Sequence, residues 1–469
     1  MITKDLRQLK GNMFLPKIIS GGMGVNTSCP DLAAQVSGYS QPNKETLGTI
    51  SGVALEMVMT RILQLGGSYA NRIRKVLEEF PFKDVARRVL EEYSKPQKGV
   101  PMFSINPSRT LKELTICANF AFVRLAKEGH NCPISINYLE KISMPHLFAI
   151  FGAMLAGVDF ITMGAGIPIQ IPAVIEAYNT GSTATYKIPV IGSDDYQVSF
   201  NPTEFFGTSV PSLNKPGFLP IIASNVLGTM LKRKLPEGSI YGFVIEEPTA
   251  GGHNAPPRNK TDYGVKDIVD YKGIASLGLP FWIGGSYASP EKLARALSVG
   301  ASGIQAGSIF ALSNESGMRP DLKKRIIERA LAGNLSIRTD MRISPTGFPF
   351  KVIEMDDTIS NEKIYKARRR ICDRGALVSL YAKADGSIGY RCASEPLESF
   401  ISKGGKIEDT EGRGCICNGL ITTAGLRLEG EEEPAVITLG DDTSFLSHLL
   451  RDGGDSYSAV DALNYLFGV

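Results

Sequence analysis

The 469 residues carry 51 basic and 48 acidic side chains, a formal net charge of +3, with 43% hydrophobic and 21% charged residues. That balance excludes a disordered chain and gives no electrostatic reason to expect nucleic acid or an anionic membrane as partner. The length allows one large domain with an attachment, and a core that needs no disulfide staples.

The opening stretch, MITKDLRQLKGNMFLPKIISGG, has no apolar run ahead of a small-residue cleavage site, and seven cysteines are few and odd in number for this length. A cytoplasmic protein is the expectation. Several short runs rich in Ile, Val and Phe then end in Gly, Ser or Asn and lead into helix-like stretches, the mark of parallel βα units. They are PKIISGGMG (16–24), LGTISG (47–52), VPMFSIN (100–106), VDFITMGAG (158–166), GFLPIIAS (217–224), YGFVIEEPTAGG (241–252), PFWIGGS (280–286) and SGIQAGSIF (302–310). Eight such units predict a TIM (β/α)8 barrel over residues 1–340.

Two further strand-like runs, CPISINYLE (132–140) and KIPVIGSD (187–194), are read as excursions from the barrel. The charged, helically periodic segment 61–99 is read as a helical insertion between the second and third strands. LFAIFGAMLAGV (147–158) falls short of the ~20 residues that span a bilayer and is read as a buried helix. Beyond 340 the turn signals SPTGFPF, KADGSIGYR and SKGGK mark a C-terminal extension, 341–469, packed on the barrel, with the acidic EGEEEP (429–434) as an exposed loop. A doubly wound open sheet is the competing fold, but its dinucleotide fingerprint is met only in part, by Gly22, Gly24 and Thr27.

In a βα barrel the loops leaving the C-terminal ends of the strands build the site. GGMG (21–24) ends the first strand, where a backbone without side chains admits a flat ligand; an ordinary tight turn would look the same. Gly284 and Gly285 end a late strand ahead of Ser289-Pro290-Glu291, a helix N-cap with proline at the first helical position. Gly307 and Ser308 end the next. Adjacent glycine-ended strands late in a barrel suit a phosphorylated ligand. Gly251-Gly252-His253 ends the strand before this pair, which would aim one of only four histidines at the same cavity, as a proton carrier or as a residue that merely holds its loop. His130 and His146 are weaker candidates, and His448 is read as structural.

PKIISGGMG, SIN (104–106), EEPTAGGHNAP, FWIGGSYAS and SGIQAGSIF, in this order, resemble the nitronate monooxygenase (2-nitropropane dioxygenase-like) family and the related flavin-type enoyl-acyl-carrier-protein reductases, over roughly residues 14–320. The resemblance implies a TIM barrel holding one non-covalent FMN. Gly22, Met23 and Gly24 would lie along the flavin ring, with Asn106 near it at the end of the third strand. Gly251 and Gly252 would pass close to the flavin, Gly284, Gly285, Gly307 and Ser308 would hold its phosphate, and His253 would be the acid/base. A nitronate oxidase would use O2. An enoyl reductase would take hydride from NAD(P)H and a thioester from an acyl carrier protein. A flavin-binding scaffold without turnover is the alternative from outside enzymology. A homo-oligomer is compatible with the sequence.

Four of the seven cysteines, Cys372, Cys392, Cys415 and Cys417, fall in the extension. GRGCICNGLITTAG (412–425) resembles the tail of long bacterial proteins labelled nitronate monooxygenases, where this part would close over the flavin. Buried small hydrophobes are the preferred reading of these cysteines, with a tetrahedral metal set or a redox pair as alternatives; no metal ligands are assigned.

Overall fold

Eight parallel strands close into a barrel in the computed structural model, which describes residues 13–96, 98–259, 261–427, 433–451 and 453–469. We number them β1 (Ile18–Ser20), β2 (Thr46–Ser51), β3 (Ile134–Leu139), β4 (Phe160–Gly164), β5 (Gly217–Ile222), β6 (Phe243–Glu246), β7 (Phe281–Gly284) and β8 (Gly303–Ala306). Each pairs with its neighbours in chain order, and the ring closes where Ile18 of β1 stands opposite Ile304 of β8.

Seven of these strands are the predicted runs, and the third is not. Residues 100–106 form no strand, and the barrel takes CPISINYLE, read above as an excursion, as β3 between β2 and β4. Alternation explains the choice. Ile134, Ile136 and Tyr138 face the surrounding helices, where the Tyr138 hydroxyl donates to Asn119 Oδ1 at 2.8 Å and Ala149 O at 3.1 Å. Ser135 turns the other way, with its Oγ 2.8 Å from Thr162 Oγ1 of β4. Such a strand supplies apolar contacts on one side and packs small polar groups on the other. KIPVIGSD does lie outside the barrel: Ala184–Ile188 pairs antiparallel with Tyr196–Phe200, and Val190–Ile191 joins a sheet formed by Ser379–Ala382 and Ile388–Arg391.

Toward the N-terminal ends of the strands the barrel is plugged by one residue from each of six strands: Ile19, Leu47, Phe160, Leu219, Val244 and Trp282. The indole Nε1 of Trp282 donates to Pro16 O at 2.6 Å, which gives the buried ring its polar partner. That packed end leaves the opposite, C-terminal end to hold a ligand.

The insertion folds as the helices Leu55–Leu65, Gly67–Leu77 and Lys83–Tyr93. The buried faces of the second and third are apolar, as with Val85, Ala86, Val89 and Tyr93 of the last. The apolar run at 147–158 is mostly the buried helix His146–Leu155, and among the described residues no helix is long and apolar enough to cross a membrane.

Beyond residue 340 the chain folds back on the barrel. Phe350–Ile353 pairs with Ile337–Asp340, and Phe445, Leu446, Leu463 and Leu466 share one buried cluster with barrel residues. The last helix, Ala459–Phe467, starts at a Ser458/Asp461 capping box and lies against helix Pro30–Gly38, where Tyr39 stacks on Phe467 and its hydroxyl donates to Asn464 Oδ1 at 2.9 Å. Of the acidic run expected as an exposed loop, residues 429–432 lie outside those described. Glu433, at 2% exposure, is instead buried opposite Arg368 at 3.6 Å. Of the opening stretch 1–22 expected to lack a signal sequence, residues 1–12 likewise lie outside those described.

Candidate functional site

A cavity of about 240 Å³ opens at the C-terminal ends of the strands. Gly22, Met23, Gly24, Gly251, Gly252, His253, Gly284, Gly285, Gly307 and Ser308 all line it, so ten residues singled out from four separate stretches converge on one space. Asn106 does not join them. It is exposed on the loop before helix Arg109–Ala126, and the strand end expected of it belongs to Asn137, which does line the cavity. The triplet Ser-Ile-Asn occurs at both places, 104–106 and 135–137.

Asn137 also explains Gly22. A methyl group at that glycine would come within 2.2 Å of Asn137 Cβ, so only glycine lets the ends of β1 and β3 meet. The Oδ1 of Asn137 and the Nε2 of Gln305 are both buried without a hydrogen-bond partner, and both residues face the cavity. Buried polar atoms of this kind are ordinarily paired, so an acceptor and a donor on the cavity wall call for a ligand carrying the complementary groups.

At the other end, the amides of Gly285, Ser286 and Gly307 donate to no protein acceptor among the described residues. Ser289 caps helix Pro290–Ser298 by accepting from Lys292 N, with Pro290 at the first helical position as predicted. The Ser308 hydroxyl accepts from Gly440 N at 2.8 Å, which leaves its own proton for another acceptor.

Gly440 belongs to the extension, which supplies much of the wall. Arg374, Leu377, Cys417, Leu420, Leu439 and Asp442 all face the cavity. A methyl at Gly251 would lie 2.8 Å from the carbonyl carbon of Leu439 and 2.9 Å from Gly440 N, so the extension crosses this strand end backbone against backbone. Lys292 holds Asp442 at 2.6 Å, and Lys351 holds Asp441 at 2.6 Å. The resemblance of 412–425 implies a cover over the site, but the stretches around Arg374 and Leu439 carry no signal, because nothing local in a loop shows what it lies across.

His253 is seated between the two parts. It bridges to Phe350 in the extension, packs edge-on against that ring at 4.9 Å, and shares a 2.7 Å hydrogen bond between its Nε2 and Ser344 Oγ. Burial, reinforced by the Lys141 ammonium, pushes its pKa down to about 3, so the imidazole is neutral at physiological pH. Burial pushes Glu56, also in the wall, up to about 7. Burial likewise moves Glu246 up and Lys141 down, toward their neutral forms, while each partly holds the other charged. Glu246 sits in the predicted stretch EEPTAGGH as the last residue of β6, so its strand-end charge was a usable signal. Lys141 lies two residues beyond β3 and had none.

The other histidines are elsewhere. His146 is buried with Nε2 3.1 Å from Leu139 O, the Nδ1 of His130 accepts from Cys132 N at 3.1 Å, and His448 stacks on Tyr465. Among the described residues no group of three or more His, Cys, Asp or Glu is arranged to hold a metal. Cys392 and Cys415 are buried, Cys372 and Cys417 half-buried. The thiol of Cys372 is pushed up by its neighbour Cys392 and by burial, and those of Cys415 and Cys417 by burial, so they are poor thiolates.

No family model matches the chain. A curated protein, the (3aS,4S,5R,7aS)-5-hydroxy-7a-methyl-1-oxo-octahydro-1H-indene-4-carboxyl-CoA dehydrogenase of Mycobacterium tuberculosis, is 26% identical over 125 residues, 26% of this chain. The match spans 32% of that relative's length. Among solved structures, FabK from Thermotoga maritima is 16% identical, covering 97% of this chain and 93% of that one at a TM-score of 0.47. The enoyl reductase domain of MlnA from Bacillus amyloliquefaciens is 11% identical, covering 97% and 94% at a TM-score of 0.45. Nitroalkane oxidase from Streptomyces ansochromogenes is 12% identical, covering 72% and 77% at a TM-score of 0.39. At such likeness the barrel rests on its own strand pairing.

Proposed function

We propose that the chain is an FMN-dependent oxidoreductase of the nitronate monooxygenase type, oxidising alkyl nitronates with O2 to a carbonyl product and nitrite. The observation that carries this reading is a glycine-lined cavity whose one end offers a buried unpartnered acceptor and donor, Asn137 Oδ1 and Gln305 Nε2, and whose other end offers open amides. A flavin ring has the complementary edge, and its phosphate suits the open amides of Gly285, Ser286 and Gly307 with the Ser308 hydroxyl. When bound, FMN supplies the redox chemistry.

The chain's own residues do the rest. Gly22, Met23 and Gly24 lie against one side of the ring space, with Gly251 and Gly252 at the strand end opposite the extension. Arg374 also stands in the wall, its guanidinium held by Asn418 Oδ1 at 2.8 Å and Asp373 at 3.4 Å. His253, neutral and tied to Ser344, positions the substrate by hydrogen bonding and is a weak acid/base. A nitronate is already deprotonated and asks little more of it. Protonating an enoyl product at carbon asks for a stronger acid, so the NAD(P)H-dependent enoyl reductase, served by an acyl carrier protein, is the second reading; its support is the apolar side of the cavity at Val53, Met57, Phe103 and Ile142.

One anaerobic experiment separates the readings. The purified protein is expected to be yellow, and its flavin absorbance to bleach on adding a nitronate alone. Bleaching only by NADPH would favour the enoyl reductase, and bleaching by neither would favour a non-catalytic flavin-binding scaffold. A protein that carries no flavin and binds no added FMN would sink all three. His253→Asn is expected to keep FMN and lose most turnover.

A further inference from the structure

We propose that Glu246 is a proton-exchange residue that connects the glycine-lined cavity with a second, smaller cavity and through it with solvent. The carboxyl stands at the end of β6 and lines both spaces. The second cavity, about 210 Å³, is also lined by Ser224, Glu247, Asn254, Tyr263 and the exposed Arg258, which marks its opening. Asn254 is 3% exposed, and its Nδ2 donates to Ala250 O at 3.0 Å while Oδ1 has no partner, an acceptor suited to an ordered water.

The groups around Glu246 fit this task. Lys141 faces it from the segment after β3, with its Nζ buried, unbonded and 3.4 Å from the centre of the Phe348 ring. Tyr263, Asp267 and Arg258 face it across the second cavity, and His253 stands on the side of the first. No hydrogen bond anchors the Glu246 carboxyl among the described residues, so it can turn to either space. Burial brings it to about 7, where both forms are populated near neutral pH. His253 cannot do this work, because its pKa of about 3 keeps it from taking a proton from neutral water. In the exchange, one proton leaves the Glu246 carboxyl for an acceptor in the first cavity. Water of the second cavity returns one proton to the carboxylate, and bulk buffer restores the water. The catalytic step so served rests on the oxidoreductase reading above; the exchange itself does not.

The test is an infrared pH titration of the full-length protein, comparing wild type, Glu246→Gln and the neighbouring control Glu247→Gln. The protonated-carboxyl absorption of wild type and Glu247→Gln should contain a component lost between about pH 6 and 8 that Glu246→Gln lacks. Glu56, Glu140 and Glu433 also titrate high, so the wild-type-minus-variant difference is the quantity read. Identical titrations in wild type and Glu246→Gln would overturn the proposal. Should Glu246→Gln fail to fold, Glu246→Asp keeps the carboxyl and should keep the band. In turnover, Glu246→Ala should slow about tenfold or more and recover with added formate as a small proton carrier. A slowed variant that formate does not rescue would count against proton exchange. Absence of flavin would sink the oxidoreductase reading and leave the infrared result standing.

Discussion

Replacing His253 by glutamine tests the electrostatics of the site most directly. Above neutral pH the imidazole is neutral in both the folded and the unfolded chain and contributes no pH dependence. As the pH falls through the ordinary value of 6.5, the unfolded chain takes up a proton that the folded chain refuses until about 3. Stability is therefore lost on acidification, at 1.36 kcal/mol per pH unit, so about 2 kcal/mol has gone by about pH 5. Glutamine can still hydrogen-bond Ser344 but cannot titrate. Urea midpoints of His253→Gln should fall less than those of wild type between about pH 8 and 5, by the equivalent of about 2 kcal/mol. His146, pushed down to about 4 by burial, acts in both proteins and cancels in the comparison. With only four histidines, carbon-13 labelling reads the same quantity directly, and the signal lost in the variant should show no imidazolium until well below pH 5. Parallel stability curves, or a His253 midpoint near its ordinary value, would refute the neutral histidine.

Other consequences can be checked separately. Gly251→Ala forces a methyl against the Leu439–Gly440 backbone and should cost about 1–3 kcal/mol, read as a lowered Tm; an unchanged Tm would mean the extension does not cross there. Trp282→Phe removes volume from the barrel plug and leaves Pro16 O without its donor, for a loss of about 2–4 kcal/mol in urea unfolding. Since Trp282 is the only tryptophan and is 1% exposed, native emission should be blue and resist acrylamide quenching. Burial raises the thiols of Cys29, Cys117 and Cys415, so at pH 7 they should react with a disulfide reagent only after denaturant is added; fast labelling of all seven cysteines would contradict that burial.

Seven of the eight barrel strands could be read from the chain because a short β-branched run ending in glycine or serine is a local signal. β3 was misplaced for a definite reason. Phe103-Ser104-Ile105-Asn106 and Ile134-Ser135-Ile136-Asn137 are nearly the same word, and only pairing decides which becomes a strand. The second continues the alternation through Tyr138 and finds β2 and β4 on either side, while the first is stopped by Pro107. The candidate glycines and His253 were legible because backbone freedom and a rare residue type mark themselves. Asn137, Gln305, Glu56 and Lys141 did not, since an ordinary polar residue declares its role only through what surrounds it. The resemblance of 412–425 implied a cover, but the seat of the extension on Gly251 was beyond local reading, because it joins positions nearly two hundred residues apart.

That seat has a thermodynamic corollary. Because the cavity is walled jointly by the barrel and by residues such as Arg374, Cys417 and Leu439, any molecule that fills it also adds contacts holding the two together. Occupancy and docking of the extension are then linked equilibria, each raising the other by the same coupling free energy. A substitution far out on the extension should thus weaken ligand affinity without touching the ligand, and a bound ligand should slow hydrogen exchange in the extension.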